Sequence, residues 1–118
     1  MKADELMIND WVYLVKDYGE PKKDILKIDA LDLHRISDGM LEVEPIPLTP
    51  EILEKNGFVE SHVNECFSLR YTLIYDGIGF SLKYVRGVFQ WLGPLDFKYV
   101  HELQHALKLC GIKKEIEL

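Results

Sequence analysis

The sequence predicts a single α+β domain: short antiparallel strands, one short helix among them, and a C-terminal helix packed on the sheet. Three observations predict it. Apolar and polar residues alternate along stretches on both sides of residue 50; a proline-rich phrase carrying a helix cap separates those stretches; and the pattern from Asp96 to Cys110 has the period of a helix. The expected divisions are a β meander over 1–48, a short helix over 49–57, antiparallel strands over 66–92 and the C-terminal helix over 96–110.

In the meander, Asn9-Asp10 is a turn signal, and Trp11-Val12-Tyr13-Leu14-Val15 has the β-branched and aromatic content of a strand. Asp17 to Pro21 breaks the chain. Asp24 to Leu33 is expected to form a second extended segment with Leu26, Ile28 and Ala30 on one face. Ser37-Asp38-Gly39 suits the positive φ of a hairpin loop, and Met40 to Glu44 places Leu41 and Val43 in alternation with two glutamates. An SH3-like open barrel is one arrangement such strands adopt.

Pro45, Pro47 and Pro50 lack the donors a continuing central strand needs. Thr49 is a natural N-cap, Pro50 fits the first helical position, and Gly57 can end the helix in the left-handed conformation. After a polar link over 58–65, Cys66 to Tyr75 puts Phe67, Leu69, Tyr71, Leu73 and Tyr75 on one face and Ser68, Arg70 and Thr72 on the other. Asp76-Gly77-Ile78-Gly79 reads as a hairpin loop; Phe80, Leu82 and Tyr84 alternate on the return, and Gly87 allows a bend before Val88 to Leu92. In the last helix Val100, Leu103, Leu107 and Cys110 form one apolar stripe. Asp96 is the expected cap, and Gly111 the stop, with Ile112 brought to Leu107 as in a Schellman closure.

The composition excludes some functions. A chain of 118 residues with 47% hydrophobic content is long enough for one core. Its formal net charge of −6 supplies no general attraction to phosphate backbones or anionic lipid. Met1 to Glu5 is acidic and polar rather than a leader, and no apolar run approaches the roughly 20 residues of a membrane span, so a cytoplasmic protein is expected. Cys66 and Cys110 stand far apart and are expected as buried, reduced thiols.

One string carries possible chemistry. His101-Glu102-x-x-His105 matches the zinc-hydrolase pattern H-E-x-x-H, with His101 and His105 as metal ligands and Glu102 as general base. A catalytic zinc needs a third protein ligand. The extended pattern with Gly and then His is excluded by Lys108 and Gly111, and only Glu115 and Glu117 follow; His34 and His62 lie upstream. The helix has a complete explanation without metal, with both histidines on the side away from the apolar stripe and so on a solvated face. Gly77-Ile78-Gly79 lacks the third glycine of a dinucleotide loop. Tyr71, Tyr75, Phe80, Tyr84, Phe89 and Trp91 beside Arg70, Lys83 and Arg86 could stack single-stranded nucleic acid, but most of these rings alternate onto the core face. Trp11 and Tyr13 share a partly exposed strand face on which a peptide groove is possible.

Three phrases, Leu6 to Val12, Pro45 to Leu53 with Asn56-Gly57-Phe58, and Tyr99 to Gln104, are similar to those of a family of small proteins encoded in Bacteroidetes genomes and mobile elements, prophages included. The resemblance spans nearly the whole chain. It implies a small β-rich domain with a C-terminal helix and other polar residues at the places of Glu102 and His105, and it carries no established activity, so it supplies no catalytic residues. The expectation is a non-enzymatic interaction or accessory protein of mobile-element origin. It has no cofactor, no membrane association and an unidentified protein partner. A minimal zinc hydrolase is the alternative, and a nucleic-acid-binding module ranks last.

Overall fold

The computed structural model describes residues 3–62, 68–91 and 95–118. Cys66, Phe67 and Leu92, which entered the sequence expectations, lie outside them. The described residues form an α+β fold, with eight strands in two antiparallel sheets, three α-helices and an initial 3-10 turn over Ala3–Glu5. Among the described residues no helix is long and apolar enough to cross a membrane. The chain divides into two compact units, Met1–Pro47 with Tyr99–His101, and Leu48–Lys98 with Glu102–Leu118.

The first unit holds a three-stranded sheet. Strands β1 (Trp11–Asp17) and β2 (Glu20–Lys27) form a hairpin, and β3 (Leu41–Pro45) pairs on the other side of β1, giving the order β2-β1-β3 without closure. The hairpin turns on Tyr18 and Gly19, both at positive φ (50° and 83°), as a two-residue type I′ turn requires. The Asn9-Asp10 turn is present as expected. Asp10 is fully buried, its carboxylate accepts the Met7 N–H at 2.8 Å, and its carbonyl accepts the Ile28 N–H at 2.9 Å.

Between β2 and β3 the chain departs from the sequence expectation. Residues 30–33 are not extended: α1 (Ala30–Ser37) starts there. The reason is local. Asp29 accepts the Asp32 N–H at 2.8 Å while the Asp32 carboxylate accepts the Asp29 N–H at 3.1 Å, a reciprocal box that satisfies two otherwise orphaned donors. Ser37-Asp38-Gly39 is accordingly the helix stop rather than a hairpin loop, with Met40 N–H bonded to Arg35 O and Gly39 N–H to Ile36 O. Leu6, Val12, Leu14, Ile28, Ile36, Leu41 and Val43 make the buried cluster of this unit, with Leu26 and Leu33 packed against it.

The second unit begins with α2 (Pro50–Lys55), built as its sequence predicts: Thr49 accepts the Ile52 N–H, Pro50 opens the helix, and Gly57 (φ 89°) closes it while Phe58 N–H bonds Leu53 O. Then come β4 (Val59–His62), β5 (Ser68–Tyr75), β6 (Ile78–Val85), β7 (Val88–Trp91) and β8 (Leu95–Phe97), hydrogen-bonded in that order into one antiparallel sheet. Two strands exceed expectation: β4 occupies part of the supposed polar link, and Asp96 sits in β8 opposite Gln90 instead of capping a helix. Tyr71, Leu73, Phe80, Leu82 and Phe89 are buried, and the rings of Tyr71, Tyr84 and Phe89 contact one another in tilted and edge-on pairs.

The last helix, α3 (Val100–Leu109), begins three residues later than an Asp96 cap would place it. Its first N–H, that of Val100, donates to Ile46 O at 2.9 Å, so a backbone carbonyl satisfies the donor expected to need Asp96, and the Glu102 carboxylate accepts the N–H of Lys98 just before the helix at 3.0 Å. Its end is the Schellman closure the sequence indicates, Ile112 N–H to Leu107 O and Gly111 N–H to Lys108 O.

Candidate functional site

The H-E-x-x-H string is indeed on a helix, but the two histidines are not a solvated pair. His101 is buried, at 8% exposure, and its ring stacks on Tyr99 with centroids 5.9 Å apart and planes 10° from parallel. His105 is half-buried. The expectation of a solvent-facing pair is thereby corrected. Val100, Leu103 and Leu107 of the predicted stripe are buried and Cys110 half-buried, yet Ala106, Gln104 and His101 are buried as well, so at about 100° per residue roughly 220° of the helix circumference is covered. Polarity marked the two histidines as outward, whereas the helix is enclosed on more sides than its apolar stripe.

Glu102, the general base of the zinc reading, commits one carboxylate oxygen to the Lys98 backbone. Among the described residues no group of three or more His, Cys, Asp or Glu is placed to hold a metal ion. His34 sits near the end of α1 with its Nε2 3.0 Å from Asp38 Oδ2. Cys110, expected to be buried, is a free thiol and only half-buried.

The proposed stacking platform is also taken apart by the pleat. Tyr71, Phe80 and Phe89 are buried, and Tyr84 and Trp91 half-buried, whereas Arg70 and Lys83 stand opposite each other in the register one residue out of phase with Tyr71 and Leu82. Rings and cations therefore occupy different faces of the sheet.

What remains exposed and shaped is the solvent face of the three-stranded sheet. In β1, Val12 and Leu14 point to the core while Trp11, Tyr13 and Val15 point outward; Tyr13 is 39% exposed. The register places Ile25 of β2 and Glu44 of β3 on either side of Tyr13, and Lys27 opposite Trp11. Directly paired residues share a face, so Ile25, 49% exposed, extends the apolar surface, and the Lys27 ammonium lies 5.7 Å from the Trp11 ring centroid. A register shift between Leu14 and Lys16 turns Val15 outward beside Lys16, which pairs with Glu42 at 3.5 Å. These residues surround an open depression of about 490 Å³, lined by Tyr13, Leu14, Val15, Lys23, Asp24, Ile25 and Glu44.

The sequence identified Trp11 and Tyr13 as an exposed pair but missed Lys23, Ile25 and Glu44. The alternation of Lys23, Ile25 and Lys27 about Leu26 carried the signal, obscured by extending that strand to Leu33. Compared with models of known families, with curated proteins and with solved structures, the chain matches none.

Proposed function

We propose that this is a non-enzymatic binding module of the cytoplasm that takes a segment of a partner protein on the open face of its three-stranded sheet. The observation that carries this reading is the depression around Tyr13, Val15 and Ile25: exposed and half-buried apolar side chains, gathered by register from two adjacent strands and bordered by charge. Apolar and aromatic surface left in water is the usual mark of an interaction site, and β1 is an interior strand, so the contact is made through side chains rather than by strand addition. An accessory protein of a mobile element in Bacteroidetes is the biological setting that fits the three family-like phrases.

Selection of random peptides displayed on phage against the immobilised protein, followed by amide chemical-shift mapping with a selected peptide, tests the reading. Shifts concentrated at Trp11, Tyr13, Val15 and Ile25, with at least tenfold weaker binding by Ile25→Asp, are expected. Ile25 is half-exposed, so that variant retains its fold. Shifts confined to other residues, or no selected peptide, would overturn it.

A further inference from the structure

Resting on that reading, we infer that the segment is extended with a three-residue period, an apolar residue facing the sheet, an acidic residue on one flank and a basic residue on the other. The face is divided lengthwise by charge. Its β2 rim presents Lys23 and Lys27, its floor Trp11, Tyr13, Val15 and Ile25, and its β3 rim Glu42 and Glu44. Asp24 also borders the depression, but it pairs with the inward-facing Leu14 and its carboxylate is engaged by the Ile25 N–H at 2.9 Å.

Of these charges, Lys16 already pairs with Glu42 and Lys27 lies over Trp11. Among the described residues neither Lys23 nor Glu44 takes part in an ion pair. They cannot serve each other, since β1 lies between their strands and two strand spacings separate the rims by about 10 Å. An occupant lying along β1 therefore meets a cation on one side, an anion on the other and apolar surface beneath.

A β-strand directs side chains two ways and matches only two of these three surfaces at once. A polyproline II segment has three residues per turn and directs successive side chains three ways, and its backbone needs no hydrogen bonds from the sheet. The chemistry that fits is thus an apolar–acid–base repeat in that conformation, and the outward part of β1 spans four or five of its residues.

Three synthetic nonapeptides of one composition test this by titration at low salt. One repeats Pro-Glu-Lys three times, the second repeats Pro-Lys-Glu three times, and the third is a block peptide with its glutamates first, its prolines in the middle and its lysines last. The two repeats place the same charges on the same rims only when they run in opposite directions. One repeat is expected to bind at least tenfold more tightly than the block peptide, and Lys23→Glu or Glu44→Lys to weaken it at least fivefold. In the double variant K23E/E44K the two charges outside any ion pair are exchanged between the rims, and the preference is expected to pass to the other repeat. Equal binding of repeat and block peptides, or single reversals without effect, would overturn the inference. Peptides selected from the phage library that map to Tyr13 and Ile25 without an apolar–acid–base period would overturn it while leaving the binding module standing. Absence of any peptide on this face overturns both.

Discussion

Asn56 and Glu117 are joined by two hydrogen bonds, the Glu117 N–H donating to Asn56 Oδ1 and Asn56 Nδ2 donating to the Glu117 carbonyl, both at 2.7 Å. The side-chain amide stands in for a peptide group and pairs with the backbone of the C-terminal segment as a neighbouring strand would. Asn56 is 3% exposed and its Nδ2 also reaches Ile52 O, the end of α2; Lys55 Nζ donates to Leu118 O beside it. Replacement by alanine leaves the Glu117 N–H and carbonyl without this partner at a part-buried place, while Ile52 O keeps the Asn56 N–H. Asn56→Ala is expected to lower unfolding stability by about 2 kcal/mol, against about 1 for an ordinary exchange of hydrogen bonds with water. Denaturant unfolding measures it, and a loss under about 0.5 kcal/mol would show that the amide pairing contributes little.

The Asp29–Asp32 box that starts α1 leads to a second expectation. Its two bonds satisfy one helical donor, the Asp32 N–H, and the cap backbone N–H, and replacing an N-cap acid by alanine removes about 1 kcal/mol. Asp29→Ala should therefore destabilise by about 1–2 kcal/mol, and Asp29→Ser by a few tenths, in the same unfolding measurement. Equal effects of alanine and serine would mean that the box is not what starts the helix.

That box also shows why part of the fold was readable from residues and part was not. Thr49-Pro50 with Gly57, and Gly111 with Ile112, are complete local instructions, and α2 and the end of α3 follow them. Asp29-x-x-Asp32 is such an instruction too, but it is written with two acids rather than the Ser/Thr and Glu/Gln of the familiar box, and the apolar Leu26, Ile28 and Ala30 around it mimic a strand. The Asp96 cap failed for the opposite reason. A good cap residue lay within reach, but strand pairing with β7 claimed it, and pairing between segments is not a local property. The open face was half readable: Trp11 and Tyr13 declare themselves within one strand, whereas Lys23, Ile25 and Glu44 join them only through the register of β1 with both neighbours.

Glu102 separates the structural from the catalytic account of the histidine string. If its role is to accept the Lys98 N–H, glutamine retains that acceptor and alanine does not. Glu102→Gln is expected within about 0.5 kcal/mol of the parent and Glu102→Ala about 1 kcal/mol below it. Zinc at about 100 μM is expected to leave the Tm of the parent protein unchanged. A ligand present at roughly a hundred times its Kd would add about 2.7 kcal/mol to stability, a shift easily seen by scanning calorimetry. A rise of several degrees that disappears in His101→Ala would reinstate His101 and His105 as ligands.

Tyr71 supplies a pH dependence whose sign follows from its surroundings. Its phenol lies 3.4 Å from Glu60 Oε2, and burial first, then the charges of Glu60 and Glu54, push its pKa above the usual tyrosine value of 10.0. The folded protein therefore holds this proton at a pH where the unfolded chain has released it. Between the two values the unfolded state binds fewer protons, so stability must fall as pH rises. The contribution is complete below about pH 10, where an unfolded tyrosine is still protonated, and is lost as pH climbs through the folded value. Tyr71→Phe has no proton to release, so its stability should decline less steeply from about pH 10 upward, the lysines titrating alike in both proteins. Urea unfolding of the two proteins at a series of alkaline pH values measures the difference, and parallel curves would mean that the phenol at residue 71 is not held protonated by the fold.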